Sequence, residues 1–373
     1  MSAFSPTEMQ RYARHFTVSE IGLTGQAKLK ATSALLIGAG GIGSPAALYL
    51  AACGVGRIGI VDHDTIELSN LQRQILYQTA ECGQKKAVIA GEKIAGLNPH
   101  VQCDVHPVKL TQDNADNLLA QYDIIVDGSD NYSTRYLVSD TCVALNKPLF
   151  SASILQFTGQ LGLFCGEDMP CYRCLYPNPP PADATPNCSE AGVLGVLPGI
   201  LSTLAVNELI KYRLGIGNDF AGKVLCVDAL TLSFKTLHLP KDPECPACGQ
   251  GQKTTQSQHA EEGSTTMEVP HLSVTDLQAL QQNQAPFTLL DVREAWECAI
   301  AQIENSLHIP LMSLPQRVQE LDRHQPLVVY CKSGHRSAHA TVWLLSQGFQ
   351  DVRNLDGGIL DWIAHIDPTL LPY

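Results

Sequence analysis

The sequence predicts two α/β domains: a doubly wound, mainly parallel sheet with an antiparallel extension, followed by a smaller α/β domain. Strand-like and helix-like segments alternate between residues 35 and 152, which is typical of a parallel sheet covered by helices. Two later segments are strand-like without alternating helices, and they favour antiparallel pairing. We predict helices at 85–97, 114–121, 131–145 and 200–212, and strands at 101–105, 124–127, 148–152, 158–164 and 223–228.

The stretch from Leu35 to Arg73 organises the first domain. An apolar strand ends in Gly-Ala-Gly-Gly-Ile-Gly at residues 38–43, a helical pattern follows, and a second strand ends at Asp62. The glycines permit a tight turn and let the backbone at Gly41 approach a phosphate, while the N-terminus of the helix favours an anion. Asp62 lies 19 residues after Gly43, and a carboxylate at this spacing can bind ribose hydroxyls. A turn without a ligand is the alternative, but the glycines, their context and the acid all agree on a nucleotide.

Polar groups beyond the second strand favour a triphosphate with Mg²⁺ over a nicotinamide dinucleotide. The run Ser-Asn-Leu-Gln-Arg-Gln at 69–74 contains an arginine that can bind phosphates, and a lysine follows at residue 86. A second acid, at residue 130, comes just after an apolar strand, where α/β sheets place groups that bind ligands and Mg²⁺. The predicted nucleotide-binding residues are Gly41, Asp62, Ser69, Asn70, Arg73, Lys86, Asp130 and Asn131.

Together these motifs resemble the ATP-dependent adenylyltransferases of molybdopterin and thiamine synthesis, which are relatives of the ubiquitin-activating enzymes. The resemblance runs from about Arg11 to Gly249. It implies that ATP and Mg²⁺ are used to adenylate the C-terminal glycine of a small ubiquitin-like sulfur-carrier protein ending in Gly-Gly. It also implies a homodimer in which Arg14, within a polar helical lead-in at 7–30, reaches the ATP site of the other subunit.

Two Cys-x-x-Cys pairs predict a structural zinc site. They are formed by Cys171 with Cys174 and by Cys245 with Cys248. Two thiolate pairs can complete a closed tetrahedral site, which leaves no open position for catalysis. A single pair could be chance or a redox motif, but two pairs favour zinc. In the family resembled, the four matching positions bind zinc.

A proline-rich run between these pairs, residues 176–190, is expected to be an exposed loop because it cannot form regular helix or central strand. It carries Cys188. The resemblance implies a catalytic role for this thiol, because in several relatives a cysteine of the matching loop forms a covalent link to the carrier protein. An incidental loop thiol is the alternative.

Composition limits the classes of partner. The chain has 373 residues and a net charge of −12, which disfavours nucleic acid and anionic membranes as partners. No apolar run approaches the roughly 20 residues of a spanning helix, and the N-terminus lacks the apolar core of a signal peptide. The 13 cysteines have no regular disulfide spacing, so we expect reduced thiols in a cytoplasmic protein.

The second domain contains a reactive-cysteine motif. The strand 327–330 runs into Cys-Lys-Ser-Gly-His-Arg-Ser at 331–337, and a helix is predicted at 338–347. Backbone N–H groups, the positive helix end and the cationic side chains of this loop stabilise a thiolate or persulfide at Cys331. We therefore predict Cys331 and Arg336 as catalytic residues, with a buried structural cysteine as the alternative.

The length of this loop is informative. Cys331 and Arg336 form a C-x4-R motif, shorter than the C-x5-R cradle of tyrosine phosphatases. With Leu-Leu-Asp-Val-Arg-Glu at 289–294 and Asp-Gly-Gly at 356–358, it resembles the rhodaneses, which carry sulfane sulfur on cysteine. The resemblance covers about 270–373. The turn at 301–306 departs from the Gly-His-Ile-x-Gly-Ala pattern usual in rhodaneses, which puts the geometry of that turn in question.

The two resemblances imply one activity. Residues 1–249 would adenylate the carrier, 250–269 would be a flexible linker, and 270–373 would transfer sulfur from a persulfide to give a thiocarboxylate. The sulfur donor would be thiosulfate or a cysteine desulfurase persulfide, and the pathway stays open between molybdopterin, transfer-RNA thiolation and related routes. The alternatives are an NAD-dependent oxidoreductase fused to a rhodanese and a binding scaffold without catalysis.

Overall fold

A computed structural model describes residues 4–166, 168–180, 192–217, 220–249 and 269–372. The chain divides into two compact units, residues 1–256 and 257–373. The predicted linker at 250–269 lies outside the described residues except for Val269. Most of the proline-rich run, including Cys188, lies outside them as well.

The strands of the first unit that the structure describes form one sheet in the order β3-β2-β1-β4-β5-β6-β7-β8. Strands β1 to β5 pair in parallel with one another, whereas β6 pairs antiparallel with β5 and the pairs β6–β7 and β7–β8 are antiparallel as well. This confirms the predicted parallel sheet with an antiparallel extension. The strands are β1 Ser33–Ile37, β2 Arg57–Val61, β3 Gln102–His106, β4 Ile124–Asp127, β5 Leu149–Leu155, β6 Thr158–Phe164, β7 Lys223–Asp228 and β8 Ser233–His238.

Helices cover both faces of this sheet. One face packs against α4, α5 and α9 through side chains such as Leu50, Ile94 and Leu209, and the other packs against α6 and α7 through Leu119 and Val138. Burying each such side chain contributes about 1.5–3 kcal/mol. The helices are α1 Pro6–Arg11, α2 Ala13–Phe16, α3 Gly22–Lys30, α4 Gly43–Cys53, α5 Lys86–Leu97, α6 Gln112–Leu119, α7 Tyr132–Leu145, α8 Tyr172–Leu175 and α9 Val196–Leu214.

The strand order creates a topological switch point at the carboxyl edge of the sheet. Because β1 lies between β2 and β4, the chain turns in opposite directions after β1 and β4, and ligands bind at such switch points. The glycine loop follows β1, Asp62 follows β2, and Gly128 to Asp130 follow β4. The three segments singled out by the sequence therefore meet at one edge.

The second unit contains a five-stranded parallel sheet in the order β11-β10-β12-β13-β9. Its strands are β9 His271–Leu272, β10 Thr288–Asp291, β11 Leu307–His308, β12 Leu327–Tyr330 and β13 Val352–Leu355. Its α-helices, within residues 269–372, are α10 Val274–Gln282, α11 Ala295–Ile300, α12 Leu314–Arg317, α13 His335–Ser346 and α14 Gly358–His365. The predicted second α/β domain is confirmed.

Helix α13 begins three residues before the predicted start at residue 338, and this boundary prediction was wrong. Gly334 precedes the helix with a φ of 94°, a left-handed conformation that favours glycine. The chain therefore enters the helix directly after Gly334, and His335 and Arg336 lie in its first turn.

The unusual turn at 301–306 has a defined conformation. Asn305 takes a φ of 61°, which asparagine tolerates better than most residues with a side chain. Ser306 Oγ lies 3.0 Å from the hydroxyl of Tyr330, and Gln302 donates to Ser306 over 3.0 Å. Asparagine thus occupies a left-handed position of this turn, which is packed against β12.

A buried ion pair supports the core of the second unit. Arg293 and Asp291 are both fully buried. Arg293 Nε and Nη2 lie 2.9 and 2.6 Å from the two oxygens of Asp291, and Nη2 also donates to the carbonyl of Ala301 over 2.9 Å. The guanidinium therefore ties the end of β10 to the end of α11.

Replacing Arg293 by methionine should lower the free energy of unfolding of the second unit by about 3–5 kcal/mol, because it leaves the Asp291 charge buried without its partner. All three tryptophans, Trp296, Trp343 and Trp362, lie in this unit, so tryptophan fluorescence in urea follows its unfolding.

The matched control is Arg353→Met. Arg353 pairs with Asp351 at the same spacing, but the two side chains are 43% and 42% exposed, and exposed pairs contribute about 0–1 kcal/mol. Equal destabilisation by the two substitutions would contradict the role assigned to the buried pair.

Candidate functional site

The glycine loop is closely packed where it enters α4. Gly38 has a φ of 88° and donates its N–H to the carbonyl of Val61 over 2.9 Å. A Cβ at Gly43 would overlap the carbonyl oxygen of Gly38. A Cβ added at Gly41 would lie 3.2 Å from Pro198 Cβ and 3.6 Å from Arg73 Cδ. Glycine is therefore required where the loop turns into the helix.

Asp62 fixes this loop from the neighbouring strand. Its two carboxylate oxygens accept hydrogen bonds from the backbone N–H groups of Ala39 and Asp64, each over 2.8 Å. The hydroxyl of Tyr77 donates to the carbonyl of Ala39 over 2.9 Å, and Ser44 Oγ donates to the same carbonyl over 3.0 Å. Binding of ribose by Asp62 stays a prediction, and it would use the remaining acceptor capacity of the carboxylate.

Several buried polar atoms around the loop have no hydrogen-bond partner within the described residues. They are Oδ1 of Asn70, Oε1 of Gln74 and Oγ of Ser129. Leaving such an atom unpaired costs about 1–3 kcal/mol. A polar ligand that pairs them is therefore favoured, and the site fits a nucleotide by this criterion.

The two predicted cations are held differently. Lys86 is buried, and its Nζ lies 3.0 Å from Oδ2 of the half-exposed Asp64. The Arg73 guanidinium donates to the carbonyl of Ser69 over 3.3 Å. Sequence reasoning missed Asp64, although the Asp-x-Asp spacing directly after a strand was a usable signal.

Three predicted residues have less specific surroundings. Asp130 is exposed after β4 and Arg14 is exposed in α2, and within the described residues neither side chain has a polar partner. Asn131 caps α7, since its Oδ1 accepts from the N–H of Thr134 over 2.9 Å and from Ser133 Oγ over 2.8 Å. The nucleotide roles of these three residues stay predictions.

The four cysteines of the two pairs converge on one point. Their Sγ atoms all lie within 4.8 Å of one another, with separations of 4.0 Å for Cys171–Cys174, 3.5 Å for Cys171–Cys245 and 3.4 Å for Cys174–Cys248. Four sulfurs at the usual Zn–S distance would be about 3.8 Å apart, so the residues fit a tetrahedral zinc ion. Burial and the neighbouring thiols raise the pKa of Cys171, so holding this sulfur as a thiolate requires a cation.

The thiol of Cys331 lies at the carboxyl end of β12 and is buried. Its sulfur accepts hydrogen bonds from the N–H of Gly334 over 3.2 Å and from Ser337 Oγ over 3.4 Å. Donors aimed at a sulfur, together with the N-terminus of α13, stabilise negative charge there. The loop thus places two donors on the sulfur, and the catalytic role of Cys331 stays a prediction.

The other cysteine of the second unit is a poor candidate for the nucleophile. Burial and the nearby Asp291 carboxylate raise the pKa of Cys298 to about 12, so its thiol is neutral near pH 7.

The predicted catalytic cation Arg336 is paired with an acid of α11. Its two terminal nitrogens each lie 2.7 Å from an oxygen of Glu297.

Comparison with known protein families identifies both units. The ThiF family model matches residues 12–247, and a rhodanese-like domain model matches residues 273–365. The chain belongs to the ThiF family. The two resemblances inferred from the sequence are therefore confirmed.

Relatives of this ThiF family member span its whole length. It is 38% identical over 410 residues to adenylyltransferase and sulfurtransferase MOCS3 of Mus musculus, covering 100% of this chain and 89% of the relative. It is also 38% identical over 387 residues to the probable adenylyltransferase/sulfurtransferase MoeZ of Mycobacterium tuberculosis, covering 100% and 97%. The predicted enzyme class, an adenylyltransferase and sulfurtransferase, is confirmed by these names.

Solved structures support the fold. Crystal structures of E. coli MccB match with TM-scores of 0.58, for the complex with MccA-N7isoASN, and 0.55, for the complex with ATP. They cover 66% of this chain and 76% and 75% of those chains, at 20% and 23% identity. Within the described residues, no helix has the length and apolarity needed to cross a membrane.

The cysteine cluster generates a testable prediction. The purified chain should hold one zinc ion, and Cys171→Ser should lose it and unfold the first unit more easily, since structural zinc contributes on the order of 10 kcal/mol. Zinc is measured by elemental analysis, and unfolding by circular dichroism.

The control for this experiment is Cys82→Ser, which changes an exposed cysteine of the same unit and should retain the metal. Full zinc occupancy in the Cys171→Ser protein would contradict the assignment of these four ligands.

Proposed function

We propose that the first unit adenylates the C-terminal carboxylate of a small ubiquitin-like sulfur-carrier protein and that the second unit supplies the sulfur. The observation that carries this proposal is the presence, in one chain, of a ThiF domain and of a rhodanese-like domain whose Cys331 loop is intact. The full-length relatives named adenylyltransferase and sulfurtransferase support the same pairing.

The nucleotide would bind at the carboxyl edge of the first sheet. The glycine loop and the N-terminus of α4 would bind phosphate, with Asp62 on the ribose. Asn70, Arg73 and Lys86 would bind the phosphates, and Asp130 would bind Mg²⁺. Ser69 and Asn131 belong to the same predicted set, and Arg14 would act from the other subunit of a homodimer.

In the first step, the carrier carboxylate attacks the α-phosphate of ATP, the bond to the β-phosphate breaks, and pyrophosphate leaves. The protein contributes by aligning the carboxylate and by compensating charge on the leaving group. A buried, orphaned acceptor such as Asn70 Oδ1 and the buried Lys86 ammonium are suited to orient polar ligands without rearrangement.

In the second step, the terminal sulfur of a Cys331 persulfide attacks the acyl-adenylate carbonyl, and AMP leaves. The product is an acyl disulfide on Cys331. A second thiol, which we assign to Cys188, then cleaves the sulfur–sulfur bond, so that the carrier leaves as a thiocarboxylate. The two cysteines are left as a disulfide, which a cellular thiol must reduce. In the other route, without Cys188, a cellular thiol attacks Cys331 Sγ directly, the thiocarboxylate leaves, and a second cellular thiol reduces the mixed disulfide.

The proposal also covers the sulfur donor, the cellular compartment and the division of labour between the two domains. Thiosulfate or a cysteine desulfurase persulfide would charge Cys331, and the protein would act in the cytoplasm. The division of labour assigns adenylation to 1–249 and sulfur transfer to 270–373, joined by a linker at 250–269. An NAD-dependent oxidoreductase is disfavoured, because ThiF and rhodanese-like models together match most of the chain.

A single experiment tests both units. A carrier ending in Gly-Gly is incubated with the chain, Mg-ATP and thiosulfate, and its intact mass is measured. We expect the mass gain of one oxygen replaced by sulfur, lost in Cys331→Ala while pyrophosphate release continues. Cys298→Ala, which changes the neutral thiol, should retain sulfur transfer. Loss of pyrophosphate release in the Cys331→Ala protein would contradict the division of labour.

Neighbouring lysines test the nucleotide site. Lys86→Met should lower carrier-dependent pyrophosphate release by about 100-fold or more, because the cation would bind the phosphates. Lys85→Met is the matched control, since Lys85 is exposed and donates to the carbonyl of His63 over 2.6 Å. Equal rates for the two variants would contradict a phosphate role for Lys86.

A further inference from the structure

The second unit contains a buried carboxylate that the proposed reaction does not use. Glu297, the third residue of α11, is 3% exposed. Its oxygens lie 2.7 Å from Nη1 and Nη2 of Arg336, so the pair is bidentate. Bidentate pairs fix geometry as well as charge.

Glu297 is held rigidly on its own side. One of its oxygens also accepts from the N–H of Glu294 over 2.9 Å, which caps the start of α11. The far end of the same helix is tied to β10, because Arg293 joins Asp291 to the carbonyl of Ala301. Glu297 is therefore presented to Arg336 from a fixed frame.

Arg336 lies between the two groups that contact the sulfur of Cys331. Gly334 and Ser337 donate to this sulfur over 3.2 and 3.4 Å, and Arg336 is in the helical turn that joins them. A restraint on Arg336 therefore restrains both donors. The charge of Arg336 is compensated by Glu297, which argues against direct binding of an anionic sulfur donor by Arg336.

We propose that Glu297 is a positioning residue for sulfur transfer, acting through Arg336 on the loop that surrounds Cys331. This inference rests on the proposed function of the second unit. It reassigns Arg336 from a catalytic cation to the connection between Glu297 and the sulfur-binding loop.

The test measures transfer of sulfur from thiosulfate to cyanide by the full-length chain. Thiosulfate forms the Cys331 persulfide and releases sulfite, and cyanide then removes the outer sulfur as thiocyanate. The assay therefore needs neither ATP nor carrier. The variants are Glu297→Gln, Arg336→Gln and the double variant. The matched control is Glu320→Gln, because Glu320 forms a similar bidentate pair with Arg317 on the surface, where it is 40% exposed.

We expect Glu297→Gln and Arg336→Gln each to lower kcat by about 10- to 100-fold, as misplaced catalytic groups do. The KM for thiosulfate should stay within about twofold, because no direct contact with the donor is lost. The double variant should be no slower than the slower single variant, and Glu320→Gln should match the unchanged chain. Tryptophan fluorescence establishes whether the second unit of each variant is folded. If a single variant does not fold, the kcat of the double variant decides the test.

Three results would overturn the inference: an unchanged kcat in Glu297→Gln, losses that multiply in the double variant, or a raised KM in Arg336→Gln alone. The last result would mean that Arg336 binds the donor itself. An unchanged chain that transfers no sulfur to cyanide would overturn the proposed function of the second unit, and the inference with it. An active chain with unaffected variants would overturn the inference alone.

Discussion

The hydrogen bonds accepted by the Asp62 carboxylate are the constraint on which the first site depends. One oxygen holds the backbone of the glycine loop and the other holds the backbone beyond β2. Together with the hydrogen bond from the N–H of Gly38 to the carbonyl of Val61, they hold the two segments together at the edge of the sheet. Because the donors are backbone groups, the position of the loop is set by the fold and by one side chain. The remaining residues at this edge are then placed relative to a fixed loop.

Both units use the same physical arrangement for different chemistry. In each, a parallel strand ends in a loop that leads into a helix, and the helix N-terminus favours negative charge at that loop. In each, a cation that the sequence suggests as a ligand is paired with an acid: Lys86 with Asp64, and Arg336 with Glu297. Each acid holds its cation in place and compensates part of the positive charge of that cation.

Local patterns in the sequence predicted most elements but not their side-chain partners. The strands at 158–164 and 223–228 were predicted with the observed bounds, because their periodicity and turns are local signals. The start of α13 was missed, because a left-handed Gly334 allows the helix to begin early. The pair of Glu297 and Arg336 joins residues 39 positions apart, and only the packing of α11 against the loop brings them together. Asn131 was predicted as a ligand, although its local role as a helix cap was readable from its position before α7.

The cysteine cluster has a consequence for the order of events during folding. The sulfurs of Cys174 and Cys245 lie 71 positions apart in the chain, and the segment between them includes α9, β7 and β8. Closing so long a segment is entropically unfavourable until the strands between have paired. Binding of a metal ion by all four sulfurs would therefore be favoured once these strands have paired and brought the two Cys-x-x-Cys pairs together. Small zinc modules, whose folding requires the metal from the start, differ in this respect. Here the supply of metal would govern the stability of a domain that has already folded.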